Sequence, residues 1–170
     1  AHHLFGRRQR IDEALARECI RHTLARYTIA GDRLRAEDFV AVFTDDAILE
    51  SDGVSDADSF HYRGRQSIGE WIARWHAPPS RPGAPTQGAT FVRHHLATSL
   101  IEFTGPDTAK ARSYWTAYTD IGPDHCGVYL DSLRRVSCEA GDEWLIAHRR
   151  VRLDWRSPDS LFTTAVTRTR

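Results

Sequence analysis

The sequence predicts an α+β domain, with three N-terminal helices packed in a curved, mostly antiparallel sheet. Apolar residues recur at helical spacing in the first half of the chain, and from Ala89 onward the pattern changes to the period of two that is typical of strands. Between these halves, residues 77–88 contain four of the seven prolines, which predicts a surface loop or lid. With 170 residues, the chain is long enough for one such domain with its own core.

The first helix is predicted from about Ile11 to Ala30, because apolar residues recur there at helical spacing and place Tyr27 on the inward face. A shorter helix over 36–43 is predicted from apolar residues spaced by three and four. The polar cluster that follows should end this helix, and a strand is expected over 47–50.

The remaining elements are one helix and five strands. A short strand over 60–63 precedes the third helix, which is predicted to begin at a capping box of Ser67 and Glu70. The apolar face of this helix comprises Ile68, Trp71, Ile72 and Trp75. Segments rich in β-branched and aromatic residues predict four longer strands over 91–103, 108–119, 127–136 and 144–155.

Composition excludes several classes of function. Acidic and basic residues balance at 23 each and form no block, so neither a nucleic-acid surface nor a membrane-binding patch is expected. The three cysteines are widely spaced and form no Cys-x-x-Cys pair, so we expect a reduced, cytoplasmic protein. No apolar run reaches the roughly 20 residues needed to cross a bilayer, so we expect the protein to be soluble. No spacing indicates a metal site or a nucleotide cofactor. Residues 1–10 are interpreted as a disordered or tag-like start, 11–155 as the domain and 156–170 as a tail.

Three side chains are candidates for chemistry. A carboxylate from Asp32, an imidazole from His95 and a phenol from Tyr27 could meet in one pocket, and a carboxylate that orients a histidine makes it a usable general base. Each residue also has a simpler role, as a turn residue, a sheet histidine or a core aromatic. His94 and His95 point to opposite faces of their strand, and periodicity alone does not say which face is inward. Asp131 is unusual inside a strand and needs a partner if it is buried.

The order of these elements and motifs resembles the SnoaL-like branch of the nuclear-transport-factor-2-like superfamily, over residues 11–155. The motifs are Tyr27…Asp32, Phe39-x-x-x-Phe43-x-x-Asp46-Ala47, Gly64-x-x-x-Ile68, His95, Gly127-Val128-Tyr129-Leu130-Asp131 and Trp144-Leu145-Ile146-Ala147-His148-Arg149. The resemblance implies a cone-shaped fold. It also implies a function like that of scytalone dehydratase, bile-acid 7α-dehydratase and hexachlorocyclohexane dehydrochlorinase, lyases that use an aspartate and a histidine without a cofactor.

By this resemblance, Asp32 and His95 correspond to the catalytic pair and Tyr27 to a tyrosine of the bile-acid enzyme. Gly31 replaces the tyrosine that precedes the aspartate in scytalone dehydratase, which argues against scytalone as substrate. The second histidine of that enzyme falls near Tyr114 or Trp115, so a second imidazole is not expected here.

The implied reaction is proton abstraction by His95, held by Asp32, from a carbon next to a carbonyl or leaving group. Tyr27, Tyr129 or Asp131 would donate a proton or stabilise an oxyanion. Candidates for an apolar wall around the substrate are Phe43, Trp71, Trp75, Trp115 and Tyr118.

The prediction is a cofactor-independent lyase of the dehydratase type, acting on a small cyclic hydrophobic molecule that resembles a steroid, a polyketide or an aromatic compound. One alternative is an enzyme that resembles polyketide cyclases or ketosteroid isomerase. Another is a non-catalytic ligand-binding protein, or a subunit that resembles the small chain of ring-hydroxylating dioxygenases. In that case the histidine and aspartate would lie apart, or would be replaced by salt bridges with Arg112, Arg134 or Arg149. The resemblance also implies a homo-oligomer, either a dimer or a trimer.

Overall fold

The computed structural model describes residues 2–52, 59–74 and 89–162. The helices are α1 (His2–Asp32), α2 (Ala36–Val40) and α3 (Gly64–Arg74). The strands are β1 (Phe43–Asp52), β2 (Phe60–Arg63), β3 (Arg93–Gly105), β4 (Thr108–Thr119), β5 (Gly122–Cys138) and β6 (Gly141–Arg156). The α+β class is therefore confirmed.

These strands form a six-stranded sheet in the order β2-β1-β6-β5-β4-β3. The pair β1 and β6 is parallel and the other neighbours are antiparallel, as expected of a mostly antiparallel sheet. The helices cover one face of this sheet, and Tyr27 faces inward as predicted, with 8% of its surface exposed. In the part of the chain that the structure describes, no helix is long and apolar enough to cross a membrane.

Several boundaries differ from the sequence prediction. Helix α1 begins at His2, ahead of the expected Ile11. Helix α2 ends at Val40, because Phe43 already belongs to β1 and pairs with Ile146 of β6. The segment predicted as a loop or lid lies entirely outside the described residues.

The predicted capping box at the start of the third helix is wrong. Helix α3 begins at Gly64, directly after β2. Gly64 has a φ of +84°, which a residue with a side chain rarely adopts and which lets the strand turn straight into the helix. Ser67 therefore lies within the helix, where its hydroxyl donates to the carbonyl of Arg63 at 3.0 Å.

Irregularities in two strands change which residues face inward. Strand β3 has an extra residue between Ala97 and Ser99, where its pairing with β4 shifts, and β6 has an extra residue opposite Cys126 and Gly127, where its pairing with β5 shifts. At the second shift the strands approach so closely that a Cβ on Gly127 would lie 1.9 Å from the backbone carbonyl oxygen of Arg152. This bulge therefore requires glycine.

Candidate active site

Asp32, the last residue of α1, forms a close pair with His94 at the start of β3. Its Oδ1 lies 2.6 Å from Nδ1 of His94, and its Oδ2 accepts a 2.9 Å hydrogen bond from the backbone N–H of the same residue. The Asp32 side chain is 7% exposed and that of His94 is 24% exposed. An ionised carboxylate can only accept a hydrogen bond, so Nδ1 of His94 carries the hydrogen. In the neutral ring, Nε2 is then left with a free lone pair.

The end of α1 fixes this carboxylate in place. Leu34 has a positive φ of 54°, and its backbone N–H donates to the carbonyl of Gly31 at 3.0 Å. Gly31 itself lies against the Phe39 ring, where an added Cβ would be 3.2 Å from a ring carbon. A side chain at this position would therefore press on the Phe39 ring of α2.

His95 does not occupy the position that we predicted for it. It is exposed on the outer face of the sheet, where its ring centroid lies 4.7 Å from that of Tyr118. Alternation along β3 puts His95 on the face opposite to His94, and alternation along β4 puts Tyr118 outside as well. The predicted positions of both residues are therefore wrong, and the imidazole that meets Asp32 belongs to His94.

The interior of the sheet holds a second polar group, built around Arg149. Its guanidinium carbon lies 4.0 Å from the ring centroid of Tyr27 and 4.1 Å from that of Tyr129. Burial raises the pKa of Tyr27 although the Arg149 charge opposes this, and the pKa of Tyr129 is raised further by burial. Both phenols are therefore protonated at neutral pH and available as hydrogen-bond donors.

Asp131 is the partner of Arg149. It accepts two hydrogen bonds of 2.7 Å, from Nε and Nη2, and both side chains are completely buried. Burial alone would lower the pKa of Arg149, but the Asp131 carboxylate outweighs it and raises the pKa. The predicted need of Asp131 for a partner is confirmed, and its geometry suits holding Arg149 rather than donating a proton. Nη1 of Arg149 has no hydrogen-bond partner among the described residues.

The other candidates for an apolar wall lie in different places. Trp115 is 4% exposed, stacks on Tyr129 with 5.4 Å between centroids, and lies 5.7 Å from the His94 ring. Phe43 is fully buried behind Tyr27, and Trp71 packs instead on β2 through Phe60. Trp75 lies outside the described residues. Trp115 and Tyr129 are thus the candidates that line the interior near His94.

A groove opens between α1 and β3. Its volume is about 320 Å³ and its lining is mainly apolar. The lining residues are Arg21, Leu24, Ala25, Thr28, Ile29, Leu96 and Ser99. Leu96 follows His94 on the same face of β3, so the groove adjoins the pair.

A family model for the SnoaL-like domain matches residues 12–150. The chain belongs to the SnoaL-like family. No curated protein matches its sequence significantly. Solved structures with the same fold include proteins described as cystatin-like or NTF2-like.

Three of the similar structures carry the name of an enzyme or of an enzyme subunit. A scytalone dehydratase-like protein from Novosphingobium aromaticivorans is 19% identical, with a TM-score of 0.65 over 85% of this chain and 88% of its own. A hexachlorocyclohexane dehydrochlorinase (LinA type 2) is 14% identical, with a TM-score of 0.63 over 87% and 91%. A dioxygenase β-subunit-like protein from N. aromaticivorans is 16% identical, with a TM-score of 0.66 over 91% and 96%. At these identities the likeness shows the fold alone.

Sequence reasoning missed two histidines of this SnoaL-like protein. His94 could have been found from Leu96, because the face of β3 that carries this bulky apolar residue is the one that packs on α1. His125 is not among the residues predicted for the site, yet its ring centroid lies 6.1 Å from that of His94. The interior therefore contains the second imidazole that was not expected, supplied by β5 and not by β4.

Proposed function

We propose that this SnoaL-like protein is a cofactor-independent lyase of the dehydratase type, in which His94 is the general base and Asp32 orients it. The observation that carries the proposal is the double contact between the two residues. One carboxylate holds both the ring nitrogen and the backbone N–H of His94. The ring therefore has a defined tautomer and a fixed direction, which a general base requires.

The elimination would begin at Nε2 of His94, which takes a proton from a carbon next to a carbonyl. The C–H electron pair becomes the new double bond, and the leaving group departs from the neighbouring carbon with its own electron pair. Asp32 stabilises the imidazolium that forms. A leaving hydroxyl recovers the proton from His94 and departs as water, so that the base returns to its neutral form.

Arg149 and the phenol of Tyr27 provide positive charge and a hydrogen-bond donor in the interior. Such groups stabilise an enolate oxygen where negative charge develops. The aromatic faces of Trp115 and Tyr129 and the apolar groove beside His94 favour a small cyclic, mostly apolar substrate.

An isomerase or cyclase would use the same base and the same stabilisation of an enolate, and differs only in the product. The position of Asp32 against a histidine, and not against an arginine, favours an enzyme over the non-catalytic alternative. The homo-oligomer and the cytoplasmic location remain predictions.

The test compares His94→Ala with His95→Ala, two neighbouring histidines on opposite faces of one strand. The substrates are cyclic β-hydroxyketones, whose dehydration gives conjugated enones that absorb in the ultraviolet. In parallel, deuterium exchange into the carbon next to the carbonyl reports proton abstraction even without elimination. We expect His94→Ala to lose both signals and His95→Ala to keep them. Equal activity in the two variants would refute the assignment of the base.

A further inference from the structure

A second carboxylate–imidazole pair lies beside the first. Nδ1 of His125 is 2.6 Å from Oδ1 of Asp124, and the Asp124 side chain is completely buried. Asp124 also accepts hydrogen bonds from the hydroxyls of Thr119 and Ser160 and from the backbone N–H of Leu161. The segment that follows β6 thus folds back onto β5 and fixes this carboxylate.

The two pairs share an aromatic neighbour. The indole of Trp115 lies 5.7 Å from the His94 ring and 5.5 Å from the His125 ring, measured between centroids. Among the described residues, Nε1 of Trp115 has no hydrogen-bond partner although the residue is only 4% exposed. Phe162 packs on His125 at 5.1 Å. A buried N–H donor without a partner, next to two imidazoles, indicates a place for a ligand oxygen.

The protonation states of His125 and Asp124 leave a hydrogen-bond acceptor on His125 beside the donor on Trp115. Burial lowers the pKa of His125, and the nearby His94 and Arg156 lower it further, although Asp124 opposes them. Burial would raise the pKa of Asp124, but hydrogen bonds from Ser160, Leu161 and His125 outweigh it and lower the pKa. At neutral pH His125 is therefore neutral and donates from Nδ1 to an ionised Asp124. Its Nε2 can accept a hydrogen bond, while Nε1 of Trp115 can donate one.

We infer that His125 and Trp115 together form a recognition site for a hydroxyl group, and this inference rests on the proposed function. A hydroxyl is the group that both accepts a hydrogen bond and donates one, whereas a carbonyl oxygen or a halogen cannot donate to Nε2 of His125. The substrate class is accordingly a hydroxyl-bearing ring, and the leaving group is water rather than halide.

The proton balance fits this assignment. The hydroxyl donates its hydrogen to Nε2 of His125, and one lone pair of its oxygen accepts from Trp115. The other lone pair receives the proton that His94 has taken from carbon, as the C–O bond breaks and the C–H pair forms the double bond. Water leaves, and His94 and His125 are both neutral at the end.

The experiment uses the full chain labelled with ¹⁵N and two probes of similar size, phenol and chlorobenzene. We expect phenol to shift the Trp115 indole N–H and the His125 ring nitrogens in NMR spectra, and chlorobenzene to leave them in place. His125→Gln should weaken phenol binding by about three- to tenfold, the loss of one hydrogen bond. His95→Gln, which changes an imidazole on the outer face, should leave binding unchanged.

Equal responses to the two probes, or a phenol complex that does not shift the Trp115 N–H, would overturn the inference. The wild-type titration decides this even where His125→Gln does not fold. Loss of phenol binding bears only on hydroxyl recognition, whereas retained deuterium exchange in His94→Ala bears only on the proposed base. The two failures can thus be distinguished.

Discussion

Replacing Asp32 by asparagine should remove catalysis while leaving the fold in place. The amide oxygen of asparagine can still accept the backbone N–H of His94, now 2.9 Å from the carboxylate. The amide nitrogen would then face Nδ1 of the ring, 2.6 Å away, and can only donate to it. The ring is forced to carry its hydrogen on Nε2, so the nitrogen that should take the substrate proton is blocked.

The expected loss of rate in Asp32→Asn is that of general base catalysis, which contributes about 10²- to 10⁴-fold. This corresponds to about 3–5 kcal/mol in the activation free energy. The stability cost should be smaller than the roughly 1.5–3 kcal/mol of a hydrogen bond to a charged group, because the asparagine still makes two hydrogen bonds.

The assay measures kcat/KM on the cyclic hydroxyketones, together with the ¹⁵N shifts of His94 that report its tautomer. Asp142→Asn, which removes an exposed carboxylate, is the matched control. Activity of Asp32→Asn within threefold of the wild type, with the His94 tautomer changed, would refute the reasoning that links tautomer to rate.

Three further predictions concern stability. Asp131→Ala leaves the charge of Arg149 buried without a partner and should lower the free energy of unfolding by about 3–5 kcal/mol, measured by urea denaturation. Gly127→Ala drives a methyl group into the backbone of β6 and should cost about 1–3 kcal/mol, seen as a lower melting temperature; an unchanged melting temperature would contradict the close approach. The pKa of His125 lies below its ordinary value of 6.5, so the unfolded chain binds more protons and stability should fall as the pH drops below about 6.5. His125→Gln should flatten this slope in unfolding experiments across that range.

The sequence predicted most of the elements, because their patterns are local. The bounds of β2 and β4 agree with the prediction, and β4 alternates regularly between exposed and buried residues over its length. The end of α2 was misplaced because an apolar residue at position 43 fits the pattern of a helix as well as that of a strand. Its pairing with β6 depends on a distant part of the chain.

The site was harder to predict because it depends on which of the two alternating sets of residues along a strand faces inward. A strand offers two sets of residues, and choosing His95 over His94 reversed the face. In β5 the extra residue is Asp124, opposite the step from Ala117 to Tyr118 in β4. It breaks the count of two, so that both Asp124 and His125 are buried although they are neighbours in sequence. This bulge leaves no clear mark in composition, which explains why the second imidazole was missed.

The return of the segment after β6 to Asp124 has a consequence for how the protein matures on the ribosome. Residues 160 and 161 supply two of the hydrogen bonds that hold this carboxylate. During synthesis, all six strands precede these residues, so the strands leave the exit tunnel first and Asp124 is fully held only when residues 160 and 161 follow. A released chain truncated after Arg156 would therefore contain all six strands and still lack two of the hydrogen bonds that anchor its second imidazole.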